Sequence, residues 1–313
     1  MPSRTVLSLG GNAILPASGP GTIDEQFRVT EETMTQVLEL LQTGEQVILT
    51  HGNGPIVGNI LIRSEAAVDR VPPAPLHICG ADSQGGIGFM IQQALHNVSV
   101  RQGIDTHVVT VITQTVVDAA DPAFANPTKP IGPFYTEAEA RVLERQRGWH
   151  LTEDAGRGWR RVVPSPDPIR IVEVETIRTL VEKGQVVIAA GGGGIPVAQT
   201  EGGEYHGVEA VIDKDLASVA LAATVGAHRL VIVTAIDRVA LHFGKPEQRD
   251  LDQMTVDEAR RYLNEGHFPP GSMGPKIQGA IRFLQRGGEE VLITSPAALQ
   301  TALRGRGGTR IIR

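Results

Sequence analysis

Short apolar runs alternate along the chain with segments whose apolar residues recur at helical spacing. The short runs predict strands, and the periodic segments predict amphipathic helices. The predicted strands are Thr5–Leu9, Val47–Leu49, Thr106–Ile112, Val186–Ala190, Leu230–Val233 and Val291–Ile293. The predicted helical segments include Phe27–Leu41, Ile87–Leu95, Leu216–Ala223 and Ile277–Leu284. This alternation predicts an α/β fold with a largely parallel sheet.

Three of the predicted strands end in glycine-rich turns. The turns are Gly10-Gly11-Asn12, Gly52-Asn53-Gly54 and Gly191-Gly192-Gly193-Gly194. In open α/β sheets, ligands bind outside the carboxyl ends of the strands, where glycine turns present backbone N–H groups to an anion. An ordinary strand-to-helix turn is the simpler interpretation of any one of them. All three together favour an anion-binding site.

The segment from about Asp121 to Asp167 has a different character, because it is rich in Pro, Gly and Arg. Within it, only Thr136–Arg147 shows a helical pattern. So long an excursion between regular elements is usually functional or disordered. Since Trp149 and Trp159 favour an ordered structure, we interpret the segment as a lid or protruding subdomain.

Composition narrows the possible functions. Hydrophobic residues make up 41% of the 313 residues and aromatic residues only 4%, so we expect an aliphatic core. The net charge of −6 disfavours a non-specific nucleic-acid binder, which needs a basic face. No apolar run reaches the roughly 18 residues of a membrane span.

The single cysteine, Cys79, bears on the compartment. One cysteine forms no internal disulfide, which fits a reducing compartment. Its apolar surroundings favour a buried structural thiol over a catalytic one. The sequence around Met1 shows no signal-peptide pattern, and we therefore expect a cytoplasmic protein.

Common catalytic motifs are missing from the sequence. There is no G-x-x-x-x-G-K-[ST] motif and hence no P-loop, and the nine histidines lack metal-ligand spacing. A dinucleotide-binding interpretation of Gly52–Gly58 would need a following strand that ends in an acidic residue. That place is held by Val71–Pro75, a poor strand.

Lysines stand at unusual places. Lys129 lies in the proline-rich segment, and Lys214 stands between Asp213 and Asp215 before a predicted helix. Lys276 follows Pro275, a residue type favoured at a first helical position, so it lies in a first turn, where a cation opposes the helix dipole. A bound anion would explain it. Solvated surface lysines, with the two aspartates serving only as a helix cap and an ion pair, are the alternative.

Seven motifs between about Thr5 and Pro296 combine these features. They are Ser8–Ala13, His51–Pro55, Asn126–Phe134, Glu153–Arg160, Gly191–Pro196, Val208–Asp215 and Gly271–Lys276. Together they resemble carbamate kinase, a branch of the amino acid kinase superfamily. The long motifs of the lid are specific to this branch, whereas the glycine turns are shared across the superfamily.

The resemblance implies an open αβα sandwich with a mostly parallel central sheet and a protruding lid. It implies an N-terminal part, residues 1–212, that takes carbamate, with the lid at about 121–167. A C-terminal part, residues 213–313, would take ATP or ADP. The resemblance also implies a homodimer and reversible transfer between ATP and carbamate, giving ADP and carbamoyl phosphate.

The resemblance further assigns roles to particular residues. Lys129, Lys214 and Lys276 would surround the transferred group, with Asp215 organising them. The acceptor and phosphoryl group would lie in a cradle made by Gly10, Gly11, Asn12, Gly52, Asn53, Gly54, Gly192 and Gly193. The nucleotide would contact Asp213, Ala235, Asp237, Met273 and Lys276. Mg²⁺ would be carried by the nucleotide and not by protein ligands.

One position departs from the family pattern, and two other functions stay open. Asp82 stands where an apolar residue is expected, and a carboxylate there would disfavour an anionic acceptor. The first alternative is a kinase of the same superfamily with a different carboxylate or phosphate acceptor. The second is a non-catalytic sensor of nucleotide or carbamoyl phosphate.

Overall fold

The computed structural model describes residues 2–16, 21–154, 156–269 and 272–313. Two positions of the motifs, Ala155 and Gly271, lie outside the described residues. The strands are, in chain order, β1 (Arg4–Leu9), β2 (Gln46–His51), β3 (Val108–Thr110), β4 (Gln114–Val117), β5 (Lys129–Tyr135), β6 (Leu151–Glu153), β7 (Trp159–Val163), β8 (Arg170–Ile171), β9 (Val186–Ile188), β10 (Ile195–Gln199), β11 (Tyr205–Gly207), β12 (Arg229–Val233), β13 (Val239–Leu241), β14 (Arg249–Leu251), β15 (Gln253–Thr255), β16 (Glu290–Thr294) and β17 (Thr309–Ile312).

The α-helices connect most of these strands. They are α1 (Ile23–Gln42), α2 (Gly54–Ala66), α3 (Leu76–Arg101), α4 (Glu137–Arg147), α5 (Val174–Glu182), α6 (Lys214–Thr224), α7 (Val256–Asn264), α8 (Met273–Gln285) and α9 (Leu299–Leu303).

An eight-stranded sheet in the order β15-β17-β16-β12-β1-β2-β9-β3 forms the centre of the protein. All of its neighbouring strands run parallel except β16 and β17. Because β1, β2 and β9 are adjacent and parallel, their carboxyl ends lie side by side at one edge. The predicted largely parallel sheet is confirmed.

The sheet is covered on both faces. Val6 and Ile48 pack on one face in a core shared with α5 to α8, whereas Leu7 and Leu49 pack on the other with α1, α3 and α9. Successive residues of a strand point to opposite faces of the sheet. A strand that is buried on both faces is therefore apolar at consecutive positions of the sequence. The predicted αβα sandwich is therefore confirmed.

The predicted elements are present with shifted ends. The strand predicted at Val186–Ala190 stops at Ile188, and Ala190 adopts a left-handed conformation with φ +49° as the chain enters the glycine turn. Helix α8 begins at Met273, so Pro275 is its third residue and not its first. A proline is tolerated there because N–H groups of the first turn have no partner inside the helix.

Residues 121–167, the segment predicted to be a lid, form a small sheet and a helix of their own in the part that the structure describes. Strands β5, β7 and β6 form a three-stranded antiparallel sheet, and α4 joins β5 to β6. At its roots, the backbone N–H of Asp167 donates to the side chain of Asp121 at 3.1 Å. The two chain segments that enter and leave the lid are thus held together.

Helix α2 carries the lid through close contacts. A Cβ added at Gly58 would come within 2.1 Å of the Cα of Gly132 in β5, so the two backbones touch. The carboxylate of Glu65, also on α2, pairs with Arg147 at 2.6 Å and Arg161 at 3.2 Å. The lid and α2 are therefore packed as one unit.

Among the described residues, no helix is both long and apolar enough to cross a membrane.

The contact between α2 and the lid generates a prediction for Gly58→Ala. The new methyl group would overlap the backbone at Gly132, which cannot rotate away as a flexible side chain would, so the lid must shift. Such overpacking costs about 1–3 kcal/mol. We expect a lower melting temperature and faster proteolytic cleavage within the lid, measured by thermal unfolding and limited proteolysis.

The matched control is Gly80→Ala, because Gly80 is also helical and has no atom within 4 Å of an added Cβ. Alanine there should leave stability unchanged or raise it, as helix propensity predicts. Equal behaviour of the two variants would contradict the tight contact.

Candidate active site

The three glycine turns converge at the carboxyl edge of the sheet. The first follows β1, the second follows β2, and the third follows β9, and these strands are neighbours in the order β1-β2-β9. The Gly10 N–H donates to the carbonyl of Val233 at 2.9 Å, and the Gly52 N–H donates to the carbonyl of Leu9 at 2.9 Å. The first two turns are thus bonded to the carboxyl ends of neighbouring strands.

Close packing explains why glycine is required in the third turn. Gly192 has φ +64°, a left-handed conformation that favours glycine. A Cβ there would also come within 2.1 Å of the side-chain nitrogen of Asn53. Asn53 is buried and donates to the Ser83 hydroxyl at 2.8 Å. The second and third turns are therefore in direct contact at the place where the resemblance predicts a cradle.

A buried carboxylate lies beside this cradle. Asp215, in the first turn of α6, is 3% exposed. Its Oδ1 accepts from Lys214 Nζ at 2.6 Å, and its Oδ2 lies 3.1 Å from Lys276 Nζ. Lys214 and Lys276 come from two different helices, so the carboxylate brings together two of the three predicted lysines.

Burial and charge act against each other on this group. Burial raises the pKa of Asp215, but attraction to Lys214 and Lys276 and their hydrogen bonds outweigh it and hold the pKa well below its usual range. Burial lowers the pKa of Lys214, an effect that Asp215 opposes and Lys276 reinforces. The carboxylate is therefore ionised at neutral pH, and its charge favours the charged form of Lys214.

Lys129 reaches the same helix from the lid. Its Nζ lies 2.6 Å from Oδ2 of Asp213, the residue that precedes α6. The other oxygen of Asp213 accepts from the backbone N–H of Asp215 at 2.9 Å and caps the helix. Asp213 is thus a helix cap and also a partner of the lid lysine, so the two interpretations of this residue are compatible.

A buried histidine adjoins the cradle, although the sequence pattern gave it no role. His51 ends β2, and burial, with a smaller effect of Lys214, lowers its pKa to about 4 in spite of a backbone hydrogen bond to Gly52. A Cβ at Gly191 would come within 2.2 Å of Nε2 of His51. At neutral pH the imidazole is therefore uncharged and fills the space beneath the third glycine turn.

Three of the five residues predicted to bind nucleotide line a small apolar cavity. Ala235, Met273 and Lys276 line a cavity of about 170 Å³, together with other residues that include Phe243 and Phe268. The remaining predicted residues lie elsewhere. Asp237 borders a neighbouring groove and accepts from the Ser295 hydroxyl, and Asp213 pairs with Lys129.

Two further expectations can be compared with the structure. Asp82 is exposed on α3, and the neighbouring Ser83 is the residue that contacts Asn53. The carboxylate of Asp82, which the family pattern does not predict, is therefore exposed on the surface of α3. Cys79 is fully buried, as predicted for a structural thiol, and burial raises its pKa.

Sequence reasoning missed three hydroxyl groups below the lysines. Ser8, Thr50 and Ser218 are all fully buried, and Ser218 lies within hydrogen-bond distance of both Ser8 and Thr50. Ser8 and Thr50 lie in strands whose sequences are mainly apolar. A hydroxyl-bearing residue near the end of such a strand is the only signal in the sequence that could have indicated them.

Comparison with known proteins gives consistent matches. The model of the amino acid kinase family matches residues 3–295. A carbamate kinase of Pyrococcus horikoshii is 51% identical over 99% of both chains. The structure of carbamate kinase from Giardia lamblia bound to citric acid aligns with a TM-score of 0.95 at 44% identity, covering 99% of this chain and 98% of that chain. The same enzyme bound to AMP-PNP has a TM-score of 0.90 at the same identity and coverage.

The ion pairs of Asp215 generate a prediction for Asp215→Asn. The variant leaves two ammonium groups at a buried place without their carboxylate, and breaking a buried pair in this way typically costs about 3–5 kcal/mol. We expect a clear fall in melting temperature. The pKa of Lys214 should fall further, because the carboxylate favours its charged form, so Lys214 should lose its proton at a lower pH than in the wild type.

Both effects can be measured by thermal unfolding and by the pH dependence of lysine acylation, followed at the Lys214 peptide by mass spectrometry. Asp257→Asn is the control, since Asp257 forms an exposed pair with Arg260, and surface pairs contribute little. If Asp215→Asn were as stable as this control, the proposed central position of the carboxylate would be wrong.

Proposed function

The chain belongs to the carbamate kinases of the amino acid kinase family, and we propose that its phosphoryl transfer takes place among Lys129, Lys214, Lys276 and Asp215. It is an ATP-dependent kinase that interconverts ATP plus carbamate and ADP plus carbamoyl phosphate. One observation carries the assignment of the site. Three lysines from separate parts of the chain meet two aspartates at the N-terminus of α6, beside the glycine turns.

The reaction needs no proton acceptor at this place. Carbamate is already an anion, so its attacking oxygen has no proton to lose. Phosphoryl transfer then depends on alignment of the reactants and on stabilisation of the charge on the equatorial oxygens.

Each lysine has its own part in the proposal. Lys214, whose side chain lies against Gly52, binds the transferred phosphoryl group at the cradle. Lys276, which lines the apolar cavity, binds the phosphates on the nucleotide side. Lys129 approaches from the lid and covers the phosphates while water is excluded. Backbone N–H groups of the glycine turns add preorganised donors.

The residues present fit Mg²⁺ that arrives with the nucleotide. The described residues hold no group of three His, Cys, Asp or Glu side chains able to cage a metal. Mg²⁺ is usually held largely by substrate phosphates and water, and the oxygens of Asp213 and Asp215 are already engaged by the lysines and by the α6 backbone, so the nucleotide phosphates would carry the ion. When bound, Mg²⁺ would neutralise charge on the phosphate oxygens.

The apolar cavity near Met273 suits the base of the nucleotide. Its volume is about 170 Å³, and most of its lining side chains are apolar, with Lys276 at one side. Small-molecule sites are mostly apolar with a few polar groups that fix orientation. We place the adenine here, so that the phosphates extend past Lys276 towards Lys214.

A surface on α3 and β3 supports the proposed homodimer. Phe89 of α3 is 59% exposed, and Ile78 and Val100 on the same helix and Ile112 beyond β3 are also exposed. Strand β3 forms one edge of the central sheet, and a groove of about 610 Å³ runs between it and Phe89. An exposed apolar patch beside an open sheet edge fits a self-complementary contact with a second copy.

We also propose that the protein works in the cytoplasm. Its single cysteine is fully buried and, having no partner in the chain, forms no internal disulfide. This composition suits a reducing compartment.

The function is tested by measuring ATP formation from carbamoyl phosphate and Mg-ADP. The wild-type protein should turn over, and Lys214→Ala should lower kcat on the order of 10²–10³-fold while the KM for ADP changes only a few-fold, because the lysine acts mainly on the transition state. Lys183→Ala, at an exposed lysine after α5, is the control and should keep wild-type kcat.

Full activity of Lys214→Ala would remove this residue from the site. A wild-type protein that forms no ATP from carbamoyl phosphate, but phosphorylates another carboxylate from ATP, would overturn the carbamate assignment.

The dimer is tested by Phe89→Asp, which places a charge in the exposed apolar patch. We expect the variant to elute as a monomer at concentrations where the wild type is a dimer, as measured by light scattering after gel filtration. Val142→Asp, on the exposed face of α4 in the lid, is the matched control and should leave the mass unchanged. A wild-type monomer, or a dimeric Phe89→Asp, would contradict this surface.

A further inference from the structure

Three buried hydroxyl groups lie directly below Lys214. They are Ser8 in β1, Thr50 in β2 and Ser218 in α6, and each has no exposed surface. Thr50 Oγ1 lies 2.7 Å from Ser218 Oγ, which lies 3.2 Å from Ser8 Oγ. We call these three residues the hydroxyl cluster. It joins the two central strands whose ends form the first two glycine turns to the helix that carries Lys214.

Counting protons fixes the direction of the hydrogen bonds. Ser218 Oγ lies 2.6 Å from the main-chain carbonyl of Lys214, which can only accept, so Ser218 uses its one proton there. Thr50 must then donate to Ser218. Ser8 Oγ accepts from Lys214 Nζ at 2.9 Å and lies 3.2 Å from Asp215 Oδ1, to which it can donate. With these assignments the 3.2 Å contact between Ser218 and Ser8 carries no proton, and Ser8 is bound through Lys214 and Asp215.

The ammonium group of Lys214 is oriented by the same contacts. It carries three N–H donors, and Ser8 and Asp215 accept two of them. Within the part of the chain that the structure describes, the third donor has no acceptor. The lysine stem passes Gly52, where an added Cβ would lie 3.3 Å from Cδ. The remaining donor is therefore available to an anion held at the glycine turns.

Stability alone does not account for these hydroxyls. Replacing a buried hydrogen-bonded pair by apolar groups of the same shape is often nearly neutral. A buried polar network whose members are all satisfied instead makes one arrangement rigid. The hydroxyl cluster binds both the main-chain carbonyl and the ammonium group of Lys214. The network therefore makes the position of Lys214 rigid.

We propose that the hydroxyl cluster positions Lys214 for phosphoryl transfer, with Ser218 holding its main chain and Ser8 its ammonium group. The inference rests on the proposed function, because Lys214 is the residue assigned there to the phosphoryl group. Ser8, Thr50 and Ser218 are positioning residues, which act on the reaction through the lysine.

The first test is Ser218→Ala, compared with Ser99→Ala. Ser99 is a matched control because it is also a buried helical serine whose hydroxyl donates to the carbonyl four residues earlier, at 2.7 Å, but in α3. A displacement of a catalytic group by about 1 Å can cost on the order of 10²-fold in rate. We expect Ser218→Ala to lower kcat between about 10-fold and 10²-fold, with the KM for ADP within about twofold of wild type. Ser99→Ala should keep wild-type kcat.

The second test separates the hydroxyl of Thr50 from its shape. Thr50→Val keeps the shape and removes the donor to Ser218, whereas Thr50→Ser keeps the donor and removes a methyl group. The serine variant should retain most of kcat, and the valine variant should lose it. If Ser218→Ala and Thr50→Val both kept wild-type kcat, or if Thr50→Ser lost as much as Thr50→Val, the positioning role would be overturned.

A third test needs no turnover and so distinguishes this inference from the proposed function. Ser8 accepts a hydrogen bond from the ammonium group, so Ser8→Ala should lower the pKa of Lys214, measured by the pH dependence of acylation at the Lys214 peptide. A lowered pKa supports the cluster even if the wild type fails to make ATP from carbamoyl phosphate, which would overturn the proposed function alone. If the pKa of Lys214 is unchanged in Ser8→Ala, the proposal that Ser8 positions the ammonium group is overturned, even where the wild type is active.

Discussion

The buried carboxylate of Asp215 is the interaction on which the positive charge of the site depends. Two ammonium groups placed together away from water would repel each other and lose their solvation. Asp215 lies between Lys214 and Lys276 at 2.6 and 3.1 Å and supplies the opposing charge. Its place in the first turn of α6 is itself favourable, because the N-terminus of a helix attracts negative charge. The position of the Asp215 carboxylate is therefore favoured both by the two lysines and by the N-terminus of α6.

The central sheet provides the second constraint. Neighbouring parallel strands end at the same edge of a sheet. The turns that follow β1, β2 and β9 therefore lie next to one another because of the strand order alone. Contact between the turns then sets their residue types. Gly192 admits the Asn53 side chain only because it lacks a Cβ. The cradle is thus a product of sheet topology together with a few glycines at points of close approach.

Sequence patterns predicted six of the eight strands of the central sheet, five of the helices (α1, α3, α4, α6 and α8) and the glycine edge, because each depends on local sequence signals. Short strands such as β13 to β15 were not predicted, since three residues show no alternation. The ion pair of Lys129 with Asp213 joins residues 84 positions apart, and no local pattern specifies such a contact. The roles of the individual residues came from the family resemblance. The structure supplies the distances that make those roles physically reasonable.

The balance of charges at α6 suggests what the site is complementary to. Three ammonium groups, of Lys129, Lys214 and Lys276, face two carboxylates, of Asp213 and Asp215, so the positive charge exceeds the negative by one. The excess of one positive charge favours an anion at this place. Charge that develops on a transferring phosphoryl group gains most from such fixed donors, because they need no reorganisation. In the proposed function, stability and catalysis use the same ion pairs, and the proposed role of the hydroxyl cluster is to determine where the remaining donor of Lys214 points.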